Sequence, residues 1–160
     1  MPKTCNVALI GQKFMGRAHS NAWAQVNHFF DLPLSPVRSV ICARNEKELK
    51  AFAKTWGWEN TTTNWRDIAE NDSIDLVDIG TPNHVHKEHA ITMLEAGKHV
   101  VCTKPLAAYV GQDLAADVED AAVSSRGRRE MLTVAVADAQ AMVDAADAAG
   151  VQLMYGENWV

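Results

Sequence analysis

The sequence predicts an α/β fold built on a doubly wound parallel sheet, and three observations carry that reading. Short apolar runs alternate with stretches of helical periodicity along almost the whole chain. The apolar runs are continuous rather than alternating, which suits strands buried on both faces. Glycine or proline closes the segments where strand must give way to helix, or helix to strand: Gly11, Gly57, Gly80-Thr81-Pro82, Gly97 and Gly150.

Each element follows from local pattern. Cys5 to Ile10 is a first strand and Gly11 to Gly16 a turn. Arg17 to Phe30 is a helix whose Ala18, Ala22, Trp23, Val26 and Phe30 are spaced to face a sheet. Leu32 to Pro36, with two prolines, is a loop, and Val37 to Ala43 a second strand. Glu46 to Trp56 is a helix stopped by Gly57, with Asn45 as N-cap and Glu48 as its capping-box partner. Thr61 to Thr63 is a short strand and Trp65 to Asn71 a short helix. Leu76, Val77 and Ile79 form a buried strand ended by Gly80-Thr81-Pro82. A helix with Ala90, Ile91, Met93, Leu94 and Ala96 on its apolar face follows, then a strand from His99 to Cys102. Met142 to Ala149 is a helix and Val151 to Tyr155 a last strand. Between them, residues 109–132 break the rhythm, Ala- and Asp-rich at first and basic at Arg126, Arg128 and Arg129. That segment reads either as a solvated, partly helical insertion or as a lid that brings arginines to a substrate anion.

Composition sets bounds. The chain has 160 residues, 48% of them hydrophobic, enough for one domain with a sizeable core. A net charge of −5 and the absence of a basic stripe argue against nucleic acid as a partner. No apolar run approaches membrane-spanning length, and the N-terminal run is too short for a signal peptide. Three cysteines, each beside or within an apolar run, suit buried thiols in a reducing cytoplasm.

In a parallel sheet, ligands bind at the carboxyl ends of the strands. Val7-Ala8-Leu9-Ile10 leads into Gly11-Gln12-Lys13-Phe14-Met15-Gly16 and then a helix, the position of a dinucleotide-binding turn. Gly11 permits the tight turn and Gly16 close packing of helix on strand. Lys13 stands where a middle glycine would admit the pyrophosphate, and Phe14 and Met15 complete the turn. A plain strand-to-helix turn remains the alternative. The second strand ends without an acid for the adenosine ribose. Arg44 there suits a 2′-phosphate and favours NADP over NAD, or else it is a solvent-facing helix-entry arginine. Two further loops, Thr81-Pro82-Asn83 and Thr103-Lys104-Pro105, leave strands predicted to be adjacent and converge on one crevice.

Taken together, VALIGQKFMG with RAHSNAW, DIGTPNHVHKEHAITMLEAGKHVVCTKPLA and GVQLMYGENWV resemble the N-terminal domain of the glucose–fructose oxidoreductase / inositol dehydrogenase family over nearly the whole chain. The resemblance implies a Rossmann-like domain over residues 1–160 that binds NADP or NAD, with residues 109–132 as an insertion. It implies that Lys104 lies by substrate and nicotinamide as the catalytic residue. Thr81, Pro82 and Asn83 would line the cofactor, with His86 at a recurrent family position, while Thr103, Pro105 and Asn158 are carried over as cofactor neighbours. His89 reads as a packing or surface residue. The reaction implied is hydride transfer between nicotinamide and a sugar- or polyol-like hydroxyl, on a small-molecule substrate, with no metal site. Two departures stand out. Thr103 replaces the family's usual Glu before Lys-Pro, and the family's second domain, which completes the site and the subunit interface, is absent from the sequence. A truncated, non-catalytic nucleotide-binding or regulatory module is the alternative, and a flavin protein on the same fold a third. Uncovered apolar surface near the last strand predicts a homo-oligomer.

Overall fold

The computed structural model describes residues 3–115 and 120–157. Six strands form one parallel sheet: β1 (Lys3–Ile10), β2 (Leu34–Cys42), β3 (Asn60–Thr62), β4 (Leu76–Ile79), β5 (His99–Thr103) and β6 (Leu153–Gly156), in the order β3-β2-β1-β4-β5-β6. The helices are α1 (Phe14–Phe29), α2 (Glu46–Trp56), α3 (Arg66–Ala69), α4 (His86–Glu95), α5 (Asp120–Ser124) and α6 (Arg128–Ala149). A 3-10 turn, Asn83–Val85, precedes α4. The strand order reverses between β1 and β4, so their carboxyl ends part and open a crevice.

The period of two along the strands divides the core. Ala8, Ile10, Val40, Cys42, Val77, Ile79, Val100 and Cys102 face α3, α4 and α6, where Ile68, Met93, Leu94 and Met142 are fully buried. Val7, Leu9 and Ile41 face the other way, onto Leu49 and Ala53 of α2 and onto Trp58. Each fully buried Leu or Met contributes roughly 2–3 kcal/mol of transfer free energy. On this second face, β5 and β6 carry Val101 and Met154 with no helix packed over them among the described residues, and Met154 is 37% exposed.

The structure departs from the sequence reading in four places. First, α1 begins at Phe14, inside the expected turn, because Gly16 lets the helix start against Gly11: a Cβ on Gly16 would lie 2.3 Å from the Gly11 carbonyl oxygen. Second, β2 begins at Leu34 and includes Pro36, read above as loop. There β2 is flanked only by β1, since β3 pairs with Val40 to Cys42 alone, so an edge position accommodates a residue without an N–H. Third, α3 is one turn, Arg66–Ala69, shorter than the expected Trp65 to Asn71. Fourth, α6 starts at Arg128 rather than Met142, so the basic end of the irregular segment is the first turn of a 22-residue helix. Of the acidic residues in that segment, Asp117 and Glu119 lie outside the described residues, and so do Asn158 and Trp159.

The helix stops follow the sequence reading. Gly57 and Gly150 adopt the left-handed conformation at the ends of α2 and α6. Asn45 caps α2: its Oδ1 accepts from the Glu48 backbone N–H at 3.2 Å, while its Nδ2 donates to the Glu48 carboxylate at 3.0 Å.

Candidate functional site

A cleft of about 730 Å³ opens at the carboxyl ends of β1, β2 and β4. Its floor is the turn after β1. Gly11 has φ +117°, and a Cβ there would meet the Gly80 carbonyl oxygen at 2.7 Å, so only glycine lets the two strand ends approach this closely. The α1 N-terminus has no side-chain cap, so its first N–H groups stay available to an anion. Lys13, Phe14 and Met15 line the cleft with Gly11, while Gly16 supports it from beneath.

Three of the four buried side-chain polar atoms without a partner among the described residues belong to residues of this one cleft: Gln12 Oε1, Thr81 Oγ1 and His89 Nδ1. A buried polar group left unsatisfied costs about 1–3 kcal/mol, and such groups are rare in folded proteins. A glycine floor and an uncapped helix end meeting at one cavity fit a polar, phosphate-bearing ligand such as a dinucleotide. His89 was read above as packing or surface; it is 6% exposed and its ring lies 4.4 Å from Trp65. Burial lowers its pKa to about 4, so the imidazole is neutral at physiological pH. The Arg66 guanidinium lies 4.1 Å from the Trp65 ring and donates to Glu88 at 2.6 Å, holding that wall in place.

At the β2 end, Arg44 lines the cleft as expected, and so does an acid that inspection of the strand end missed. Glu48, one turn into α2, accepts from Lys13 Nζ at 3.3 Å and from Gln12 Nε2 at 3.2 Å. The side chain in place of the middle glycine is therefore drawn sideways, onto α2. The capping spacing from Asn45 to Glu48 was the available signal for this acid.

The second half of the expected site is arranged differently. Thr81 and Pro82 line the cleft, whereas Asn83, His86, Thr103, Lys104 and Pro105 do not. His86, 1% exposed, sits between the two loops, with Nδ1 2.9 Å from the Pro105 carbonyl oxygen and Nε2 2.9 Å from that of Thr81. Its role in the structure is to tie one loop to the other. The Thr103 hydroxyl, 3% exposed, donates to the Ile79 carbonyl at 3.0 Å, because the outer end of β5 packs beside β4. Lys104 is exposed. Asn158 falls outside the described residues.

Below the cleft, Asp78 is 2% exposed on β4. It accepts from His19 Nδ1 at 2.8 Å and from Trp23 Nε1 at 2.7 Å. The hydrogen bond to Asp78 raises the His19 pKa against the opposing effect of burial. His19 and Trp23, one turn apart on α1, thereby anchor the helix that presents the phosphate turn. Arg126, considered above for a lid, instead pairs with Asp113 at 2.8 Å and Glu130 at 3.5 Å, within its own segment.

Comparison with known proteins agrees with this geometry. The model of the oxidoreductase family with an NAD-binding Rossmann fold matches residues 5–126. Levoglucosan dehydrogenase of Pseudarthrobacter phenanthrenivorans is 50% identical over 103 residues, which is 64% of this chain and 26% of that protein. D-apiose dehydrogenase of Paraburkholderia graminis is 27% identical over 152 residues, 95% of this chain and 32% of the other. Among solved structures, an oxidoreductase domain protein from Kribbella flavida superposes with a TM-score of 0.77 at 40% identity, covering 96% of this chain and 35% of that one. Levoglucosan dehydrogenase in complex with NADH gives 0.75 at 38% identity, covering 96% and 34%. The chain thus spans about a third or less of the length of these relatives. Among the described residues, no helix is long and apolar enough to cross a membrane.

Proposed function

The chain belongs to the oxidoreductase family with an NAD-binding Rossmann fold, and from that premise we propose that residues 1–160 are the cofactor-binding unit of a dehydrogenase acting on a sugar- or polyol-like CH–OH group. The observation that carries the proposal is the convergence of the Gly11 floor, the uncapped α1 terminus and the cationic Lys13 and Arg44 on one cleft. The names of the relatives, levoglucosan and D-apiose dehydrogenases among them, support the substrate class.

In this reading the α1 N-terminus and Lys13 take the pyrophosphate, and Gly11 and Gly80 keep the floor open to it. Arg44 and Glu48 flank the adenosine ribose. The Trp65–His89 wall bounds the base. When bound, the nicotinamide supplies a hydride acceptor or donor. Lys104, carried on the loop after β5, is the proton-handling group: its ammonium polarises the substrate oxygen or hydrogen-bonds it. Thr103 leaves that lysine without a neighbouring carboxylate. His86 holds the Lys104–Pro105 loop to the Thr81 loop. Residues 109–132 are an insertion within this unit.

The partner in catalysis is a small-molecule substrate. Three free thiols, two of them buried, suit a cytoplasmic setting, and the uncovered Val101–Met154 face and exposed apolar side chains suit a homo-oligomer. Calorimetric titration of the 160-residue chain with NAD and with NADP tests the central claim: binding to the wild type, and its loss in Gly11→Val, is the expected result. Absence of heat with both dinucleotides refutes it and favours a non-catalytic module, the reading that the Lys13 and Thr103 replacements would support.

A further inference from the structure

The first turns of α6 lie outside everything the cofactor reading uses, and they show an order of their own. Along the 22-residue helix, Arg128, Leu132, Val136, Ala139, Val143 and Asp147 recur at steps of four, four, three, four and four. Those steps place all six within about 100° of arc, one stripe of helix surface. The stripe is centred about 70° around the helix from the one buried against α4 and the sheet, which is marked by Met142 and Ala146. It faces outward: Leu132 is 63% exposed, Val136 56% and Val143 39%. Its steps, mostly of four, form a slanting i, i+4 ridge of the kind that packs ridge into groove, apolar in the middle, with a cation at the N-terminal end and an anion at the C-terminal end. The Arg128 guanidinium and the Asp147 carboxylate make no hydrogen bond or ion pair among the described residues.

We propose that this stripe is a self-complementary interface, on which α6 of one copy of the chain packs antiparallel against α6 of a second copy about a two-fold axis. The charge order decides both the partner and the direction. A parallel pair would set Arg128 against Arg128 and Asp147 against Asp147, whereas an antiparallel two-fold pair sets each Arg128 against the Asp147 of the other copy. The same register aligns Leu132 with Val143 and Val136 with Ala139 across the axis. Ala139 at the centre lets the two backbones approach closely. The inference rests on α6 alone and is independent of whether the cleft binds a dinucleotide.

Sedimentation velocity on the full chain, from dilute to concentrated solution, tests it. The wild type sediments as a monomer–dimer equilibrium. Val136→Asp, at an exposed site beside the axis, shifts that equilibrium toward monomer by more than about tenfold. Arg128→Asp and Asp147→Arg each weaken association by roughly three- to tenfold, since each makes both ends repulsive. An equimolar mixture of the two variants recovers association, because in the mixed pair both contacts are again of opposite sign. That recovery cannot arise from a folding defect. A concentration-independent monomer overturns the proposal. So does a dimer unaffected by Val136→Asp, or one lost instead on Met154→Asp at the open sheet face.

Discussion

The two halves of the crevice are built to different degrees of completeness. Around β1, β2 and α2 the chain encloses a cleft: the floor is glycine, and the walls are tied by Lys13–Glu48 and Asn45–Glu48. Around β5 and β6 the chain positions a loop but not an enclosure. Lys104 is exposed, and Val101 and Met154 lie on a sheet face that no described helix covers. Binding geometry is thus separable from chemistry within one domain. The residues lining the cleft also form the fold, whereas the proposed reactive group stands on an exposed loop.

That comparison is broken most severely at the floor. Gly16→Ala drives a Cβ to 2.3 Å from the Gly11 carbonyl, a backbone contact that cannot yield without moving α1. A loss of about 2–4 kcal/mol of stability is expected, with abolished dinucleotide binding, measured by urea denaturation and calorimetry. Lys104→Ala is the counterpart. Its unfolding midpoint and cofactor affinity stay at wild-type values, within about 0.5 kcal/mol, because it leaves no buried contact. A large stability loss in Lys104→Ala would show that the open half is part of the core after all.

Next in size is the anchor beneath the cleft. Asp78→Asn replaces an all-acceptor group facing two donors, His19 Nδ1 and Trp23 Nε1, by one that brings its own N–H groups. Denaturation should show a loss of about 1–3 kcal/mol. A weaker affinity for dinucleotide should accompany it, since α1 carries the phosphate turn.

Protonation of the wall follows. The His89 pKa is lowered from 6.5 to about 4 by burial, so the unfolded chain binds the proton first. The stability His89 contributes is present above pH 6.5 and is lost as pH falls toward about 4, by roughly 2–3 kcal/mol. His19 has the opposite sign. Its raised pKa gives stability that is full below 6.5 and is lost as pH rises through the folded-state value. Urea midpoints between pH 7 and 4 should therefore fall less steeply in His89→Phe than in wild type, and more steeply in His19→Gln. Parallel profiles in all three proteins would reject both assignments.

The same contrasts separate what local sequence signals encode from what only packing decides. The six strands and their punctuation were legible because continuous apolar runs and glycine stops are local signals: Gly57 and Gly150 cap where expected. The early start of α6 was not, since Arg128 to Ala141 is Ala-rich and carries two apolar stripes rather than one, which blurs the helical period. Of the residues lining the cleft, Gly11, Lys13, Arg44 and Thr81 were marked in the sequence by the glycine turn, the end of the second strand and the Thr-Pro-Asn loop. His89 and Trp65 were not, because their place in the cleft depends on how α4 packs beside α3. The inward hydrogen bond of Thr103 was equally hidden, since a β5 hydroxyl chooses between cleft and neighbouring strand only once the sheet is assembled.

The finest test concerns cofactor choice, where two residues of the enclosed half pull in opposite directions. Arg44 alone favours a ribose 2′-phosphate, as the end of β2 suggested. Glu48 reaches the same mouth of the cleft and disfavours a second anion there, although its pairing with Lys13 neutralises part of that field. Lys13 is 85% exposed and Glu48 54%, so the pair is screened and each effect is modest. Glu48→Gln removes the repulsion and frees the Lys13 ammonium together, and both changes favour the 2′-phosphate. The ratio of NADP to NAD affinity is expected to rise about three- to tenfold by calorimetry at low ionic strength, and less in higher salt. Arg44→Ala should move the ratio the other way. If Glu48→Gln leaves the ratio unchanged while Arg44→Ala lowers it, the carboxylate serves only to cap α2 and hold Lys13 aside, and the arginine alone sets the preference.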